Sequence, residues 1–516
     1  VGCAPAYCGG MTGFPGHTRP RTRVPITGAR LLARMRRFIR AASCYRALVA
    51  AGVTIERFSP PEPVEAACVL CSNADANQLV LRVTHLDASR GLLDVARCGA
   101  CASLWYVDLA AFRIEYPAAP ELEDHPHFRL LGRHYIELVG GLDWRVGLLE
   151  RTPFETANSV LEIGCSVGLV LDYIRTVWGA SVVGLEPSVY GQLGRDLLDL
   201  PILRDYMADA TEIRGRQFDV VVATEVVEHT DDPAQFLAEL ASFVAPDGYA
   251  VITTPRANSI DDSHLSHGEI TAALSPGGHV FLASAQQLDR MLRDAGFGWV
   301  HIEPFGMTHF AVAAHQPLDI RPMFDTTARR AEYYRGRVER GLGDARQRLS
   351  DQLALFNADR ALGRPSEPAL LASIERDLRA EFGLELLDPV TLVASLTSTT
   401  TLFELAEMGP FALAEAVYWT GHEDHVEWAD RADRFAAAGL LANHAMRVDP
   451  VLNFVCDRVA RLAVTALAGL PATDLTDRLG AELPTNPTLA DLVVATRASA
   501  QASLLSRARR LVGRRG

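Results

Sequence analysis

The sequence predicts an α/β protein whose parallel sheet is preceded by a small cysteine-bearing module and followed by a mostly helical region. Three observations carry this. Across residues 126–315, short apolar runs alternate with helical patterns, an alternation that implies parallel strands covered on both faces. Ahead of them stand two C-x2-C pairs, Cys68/Cys71 and Cys98/Cys101. From residue 316 onward the chain reads almost wholly helical.

At 516 residues the chain exceeds what a single growing core accommodates, so three or four domains are expected. Apolar content of 48% and charged content of 22% are those of a folded, non-membrane chain, and no apolar run approaches membrane-spanning length. Residues 1–60 hold ten Arg against one Glu, so this leader carries about +9 and the remainder about −22. The leader is expected to be largely disordered, with a helix over 31–49. It ends at Ser59-Pro60-Pro61-Glu62-Pro63, a stiff break that suits a boundary. All 50 basic residues are Arg, which points to a GC-rich, bacterial coding sequence. The acidic body argues against a protein that grips nucleic acid over its main surface. Nine sparse cysteines, four of them in close pairs, suit a reducing cytoplasm and a metal site rather than a disulfide scaffold.

Four segments follow: the leader 1–60, the cysteine module 61–125, the α/β segment 126–315 and the helical segment 316–516. In the third, Ser159-Val160-Leu161-Glu162-Ile163 reads as a buried strand, Gly164 to Gly168 as a turn, and 169–178 as a helix. Ser181–Leu185 is a second strand ending on Glu186. Phe218 to Ala223, Tyr249 to Thr253, and a closing pair at 299–302 and 310–314 are further strands. In such folds ligands bind beyond the carboxyl ends of the strands.

The motifs cluster at those ends. Gly164 and Gly168 bracket a strand-to-helix turn, where glycine lets the backbone approach a ligand and the helix start offers free N–H groups. Glu162 lies two residues before the turn, where it could meet a cationic amino group. Glu186 ends the next strand, where a carboxylate takes ribose hydroxyls. Asp209 falls where a third strand should end and could accept from an adenine amino group. Glu225 and Glu228-His229 follow the next strand.

The runs Val160-Leu161-Glu162-Ile163-Gly164-Cys165-Ser166-Val167-Gly168, Val183-Gly184-Leu185-Glu186-Pro187-Ser188, Phe218-Asp219-Val220-Val221, Glu225-Val226-Val227-Glu228-His229 and Gly277-Gly278-His279-Val280-Phe281 resemble those of class I S-adenosylmethionine-dependent methyltransferases. The resemblance covers roughly residues 130–315. It implies a Rossmann-like seven-stranded methyltransferase sheet with its last strand antiparallel. It also implies cofactor contacts from Glu162, Gly164 and Gly168 to the methionine part, Glu186 to the ribose and Asp209 to the adenine, with Glu225 beside them. One departure is Ser166, where the family often has Gly. Cys165 reads as a small turn residue rather than a nucleophile, because no base is evident beside it.

Methyl transfer from a sulfonium is a direct displacement, so a base is needed only when the acceptor must lose a proton. His229 is the foremost candidate base, since an unperturbed imidazole titrates near neutrality. Glu228 is the alternative and His279 a third. Thr224-Glu225-Val226-Val227 replaces the Asn/Asp-Pro-Pro-aromatic signature of family members that methylate base amines. That leaves an oxygen or carbon of a small metabolite, a sugar or secondary metabolite, as the expected acceptor.

Four thiolates at the Cys68, Cys71, Cys98 and Cys101 spacing can close a tetrahedral structural Zn2+ site. The module is similar to a zinc ribbon, and its place ahead of the methyltransferase pattern resembles bacterial nucleotide-sugar C-methyltransferases. The C-terminal part of those enzymes is α/β, whereas residues 316–516 here read as helices at 326–361, 367–382, 402–418, 425–442, 450–469 and 488–512. This region could serve as a lid, a docking module or a homodimer interface. Two alternatives to a small-molecule enzyme stay open: a methyltransferase-like scaffold without turnover, and an RNA methyltransferase using the leader and ribbon.

Overall fold

The computed structural model describes residues 54–85, 88–108, 130, 132–133, 136–137, 142–263, 267–323, 325–365, 367–423, 426–448, 453–468 and 470–482. The expected helices at 31–49 and 488–512 lie outside them. The chain divides into two compact units. One takes in Val1–Glu123, Trp144–Arg195 and Leu200–Met323, and the other Asp124–Asp143, Asp196–Asp199 and Phe324–Gly516.

The first unit contains two sheets. The larger is built from β5 (Ser159–Ile163), β6 (Ser181–Leu185), β7 (Ile202–Leu203), β8 (Phe218–Thr224), β9 (Val244–Pro255), β11 (Trp299–Phe305) and β12 (Thr308–Ala314). Their order is β11-β12-β9-β8-β5-β6-β7. β9, β8, β5, β6 and β7 run parallel, while β12 is antiparallel to both β9 and β11. This is the seven-stranded sheet with its last strand reversed that the family resemblance implies. Strands β5, β6 and β8 are apolar on both faces because helices cover both, and Val160, Leu161, Val220, Val221 and Val222 are fully enclosed. After β7 the chain returns to the far side of β5 to form β8. The strand order therefore reverses between β5 and β8, the crevice where open α/β sheets place ligands.

The smaller sheet has the order β1-β2-β3-β4-β10, from β1 (Ile55–Pro63), β2 (Gln78–Thr84), β3 (Leu92–Arg97), β4 (Leu104–Tyr106) and β10 (Phe281–Leu282). Two features differ from the sequence reading. The run Ser59 to Pro63 is not a linker but the end of β1, and the register with β2 shifts between Arg57 and Glu62. Proline offers no N–H to a ladder, so it is tolerated here because β1 is an edge strand and the bulge leaves Pro60 and Pro61 unpaired. The second difference is β10, which comes from deep within the α/β segment and pairs antiparallel with β4, Phe281 opposite Trp105 and Leu282 opposite Leu104. The cysteine module and the larger sheet share one apolar cluster, in which Cys98, Cys101 and Trp105 pack with Phe281, Ala283 and Leu288.

The second unit is helical among the described residues. Its core gathers Leu349, Leu353 and Phe356 with Phe435, Leu440 and Val459. The pattern over 326–361 resolves into Thr327–Arg340 and Ala345–Ala361. Gly341 and Gly343, both at positive φ, end the first helix. Asp344 caps the second by accepting from the Gln347 N–H at 3.0 Å. Likewise 402–418 divides into Leu402–Met408 and Leu413–Thr420 at Gly409-Pro410. A short helix, Pro389–Leu396, escaped the sequence reading although Asp388 and Pro389 supply its cap and first residue. No helix of the described residues is long and apolar enough to cross a membrane.

Candidate active site

The turn after β5 runs against the first residues after β8. Gly164 has φ +69, and a Cβ there would stand 2.7 Å from the Val226 side chain, so only glycine admits both loops. Gly168 has φ +76 and begins helix Leu169–Trp178. Ser166 also lies at positive φ, 52°, the left-handed region that the usual glycine would enter without strain. Glu186 holds this turn. Its carboxylate is fully buried and accepts from the Ser166 N–H at 2.7 Å and the Ser188 N–H at 2.9 Å. Each of its oxygens still has lone-pair capacity for a ligand hydroxyl.

Glu162 is buried at the end of β5, and its Oε2 has no hydrogen-bond partner. Burial raises its pKa to about 8, opposed by the Arg145 cation. An enclosed, unsatisfied carboxylate oxygen beside a ligand turn suits an ammonium group. Arg145 acts on Glu225 as well and was missed from sequence, where it stands in no motif. Asp209 is exposed, in the short 3-10 turn Met207–Asp209 well past β7, so the structure does not bury it with the other acids. Cys165 is buried and its thiol is raised well above the usual value, by burial and then by Glu162, which suits a packing residue rather than a nucleophile.

Beyond β8, three buried groups converge. Glu228, His229 and His279 each direct one ligand atom into a space where those atoms lie within 4.8 Å of one another. Glu228 Oε2 accepts from the Thr254 hydroxyl at 3.0 Å, while its Oε1 has no hydrogen-bond partner. That Oε1 is 3.9 Å from His229 Nε2 and 3.9 Å from His279 Nε2. His229 Nδ1 lies 3.0 Å from the Gly278 carbonyl, and His279 Nδ1 lies 2.8 Å from the Ala273 carbonyl. A carbonyl only accepts, so each imidazole carries a proton on Nδ1 and turns its Nε2 toward Glu228 Oε1. Glu225, at φ 56, takes the Thr308 hydroxyl at 2.8 Å, and its charge adds to burial in raising Glu228. His279 is pushed well below the usual range by burial and by its neighbour His229. Two imidazole Nε2 atoms and an unsatisfied carboxylate oxygen form either a proton-accepting centre or three ligands for a divalent cation, with carbonyls fixing both rings from behind.

The four cysteines also converge. Cys68 Sγ is 3.8 Å from Cys101 Sγ, and Cys71 Sγ is 3.5 Å from Cys98 Sγ. Sulfurs bound tetrahedrally to zinc lie about 3.8 Å apart. Backbone N–H groups of Ala100 and Cys101 point to Cys98 Sγ at 3.4 Å. Ser72 and Ala102, the residues after each pair, share φ 58 and close equivalent turns.

Residues 142–302 match the family model described as a methyltransferase domain. A stretch of 107 residues is 36% identical to a ubiquinone biosynthesis O-methyltransferase of Rhodopseudomonas palustris (strain BisA53), covering 19% of this chain and 40% of that protein. A protein of the same description from Bradyrhizobium diazoefficiens is 38% identical over 105 residues, again 19% and 40%. The chain thus spans about two fifths of the length of these relatives. Among solved structures, an O-methyltransferase family protein from Burkholderia thailandensis aligns at 16% identity with a TM-score of 0.32, over 38% of this chain and 61% of that one. Residues 142–302 are thus similar to methyltransferase domains.

The buried acids have a measurable consequence. Glu186, like Glu162, is raised to about 8 by burial, and Glu225 and Glu228 are raised for the same reason. In the unfolded chain glutamates ionise near pH 4.3. Between about pH 4.5 and 8 the folded form therefore keeps protons the unfolded form has lost, and stability falls as pH rises. The melting temperature of ligand-free protein is expected to fall between pH 6 and 8, with a shallower fall for Glu228→Gln. A flat or rising profile would contradict the burial of these groups.

Proposed function

We propose that the chain is an S-adenosylmethionine-dependent O-methyltransferase whose acceptor hydroxyl loses its proton at the Glu228–His229–His279 cluster. That cluster is the observation that carries the reading, because displacement at a sulfonium needs such a centre only when the nucleophile is protonated. Glu162, Gly164, Gly168 and Glu186 hold the cofactor with its methyl toward the space beyond β8. The new C–O bond forms as the C–S bond breaks, leaving S-adenosylhomocysteine. Asp209 as the adenine contact remains part of the proposal, although its exposure in this structure favours it less than the buried acids.

The inward Nε2 atoms and the unsatisfied Glu228 Oε1 fit a divalent cation. When bound, such an ion would lower the pKa of a coordinated hydroxyl. Otherwise the His229 Nε2 lone pair takes the proton. An oxygen acceptor agrees with the printed descriptions of the relatives, and a small hydroxylated metabolite agrees with the acidic body. Zn2+ at Cys68, Cys71, Cys98 and Cys101 is proposed as structural, and cytoplasmic residence follows from thiols kept reduced.

The test is methyl transfer from labelled cofactor to hydroxylated small molecules, catechols and sugars among them, with and without EDTA. Turnover to an O-methyl product is expected. Loss in EDTA that returns with Mg2+ or Mn2+ would assign the cation, and EDTA-insensitive turnover would assign the proton to His229. Binding of S-adenosylhomocysteine without turnover on any hydroxyl would instead support a scaffold.

A further inference from the structure

Both histidines of the cluster depend on one loop, residues 275–280, between helix His267–Leu274 and β10. His279 sits on it, and the carbonyl that orients His229 is Gly278's. The loop is unusual in backbone terms: Ser275 has φ 35 and Gly277 φ 91, and the Gly278 and His279 N–H groups both return to the Ser275 carbonyl, at 2.7 and 3.1 Å. A tight turn in sparsely populated conformations persists only when its surroundings hold it.

What holds it comes largely from the N-terminal module. Tyr106, at the end of β4 and five residues after Cys101, grips both ends of the loop. Its hydroxyl donates to the Leu274 carbonyl at 2.7 Å, next to the Ala273 carbonyl that fixes His279. Its backbone N–H donates to the Val280 carbonyl at 3.2 Å, while the Val280 N–H donates to the Glu228 carbonyl at 2.8 Å. Under the middle of the loop lies His85, fully buried at the end of β2, so close that a Cβ on Gly277 would stand 2.1 Å from its Nε2. The cysteine knuckle feeds the same strand. The Cys98 N–H donates to the Ser103 carbonyl at 2.9 Å, and the Ser103 hydroxyl accepts from the Ser284 N–H at 3.0 Å, just past β10.

We infer that Tyr106 is a positioning residue for the Glu228–His229–His279 centre, so that the cysteine module is a working part of the active site rather than an appended domain. The module contributes no ligand to the centre. It fixes the loop that sets where both Nε2 atoms point, and support of this kind is worth roughly ten- to a hundredfold in affinity or activity. The catalytic consequence rests on the function proposed above; the clamp itself does not.

The test compares Tyr106→Phe, which keeps the ring and loses the hydroxyl, with Tyr249→Phe. Tyr249 is a similarly buried tyrosine of the same unit whose hydroxyl pairs with Thr152 at 2.9 Å, in the middle of β9 and five residues before Thr254, which contacts the cluster. Amide hydrogen exchange is read first, because it needs neither acceptor nor cation. In Tyr106→Phe, exchange over 271–283 is expected to rise about tenfold while β5 and β6 keep their protection. In Tyr249→Phe the loop is expected to stay as in the unaltered protein. In turnover, Tyr106→Phe is expected to lower kcat about tenfold with S-adenosylhomocysteine affinity within twofold. Wild-type loop exchange in Tyr106→Phe, or equal loosening by Tyr249→Phe, would overturn the inference. Absence of turnover in the unaltered protein would count against the proposed function and leave the exchange result to decide the clamp.

Discussion

Replacing His229 with alanine is expected to lower kcat by about a thousandfold, the scale of a lost general base, while S-adenosylhomocysteine binds as before. His229 makes neither of the two Glu186 hydrogen bonds to Ser166 and Ser188. Its Nδ1 is committed to the Gly278 carbonyl, so the chemistry falls to Nε2, which faces Glu228 Oε1 at 3.9 Å. Glu228→Gln is expected to cost nearly as much, and the double variant little more than either alone, because the two act as one unit. The measurement is steady-state turnover at saturating cofactor beside calorimetric affinity for the product. Equal losses in kcat and product affinity would mean that His229 shapes the whole crevice instead of serving the reacting oxygen.

The second large effect is expected on binding. Above pH 8, where the buried Glu186 carboxyl is ionised, Glu186→Gln should weaken S-adenosylhomocysteine by about a hundredfold, the scale of two charge-assisted hydrogen bonds. In this structure the carboxylate accepts from the Ser166 and Ser188 N–H groups, and only a group with two acceptor oxygens satisfies both while keeping lone pairs for the proposed ribose. Glutamine keeps the volume but turns an NH2 toward one of those donors. Ser166 enlarges the effect, since its left-handed backbone relies on that hydrogen bond where glycine would not. Calorimetry reads the affinity, and a melting curve separates a misfolded turn from a lost contact. Affinity unchanged in a well-folded variant would remove Glu186 from the cofactor site.

The parts of this architecture that were legible in the sequence are those encoded locally. Apolar runs ending in Gly164, Glu186 and Glu225 marked strand ends, because parallel strands buried on both faces leave nowhere for polar residues except their termini. The C-x2-C spacing marked the knuckles for a similar reason, since each is a closed turn of a few residues. What could not be read depended on distant pairing. His229 and His279 are fifty positions apart, and only the fold shows that both turn Nε2 toward Glu228 Oε1. The two residues of β10 carry too little pattern to announce that they complete another sheet. The proline run in β1 looked like a break because local chemistry cannot tell an edge strand from a linker. Asp209 followed a strand of two residues, too short to fix where its end would point.

The pairing of β4 with β10 also bears on how the chain is made and cut. Residue 104 leaves the ribosome 178 residues before its partner at 282 (282 − 104), so the cysteine module stays one strand short while those residues are made. Until then β4 is a bare sheet edge carrying Trp105, the kind of surface that recruits the wrong strand. The methyltransferase sheet, cut free at residue 126, would in turn present Phe281 and Leu282 to water along with the loop bearing His279. Neither piece is a portable cassette. Fusions and truncations that keep residues 54–323 in one molecule preserve the seam, and those that split it divide a single structure in two.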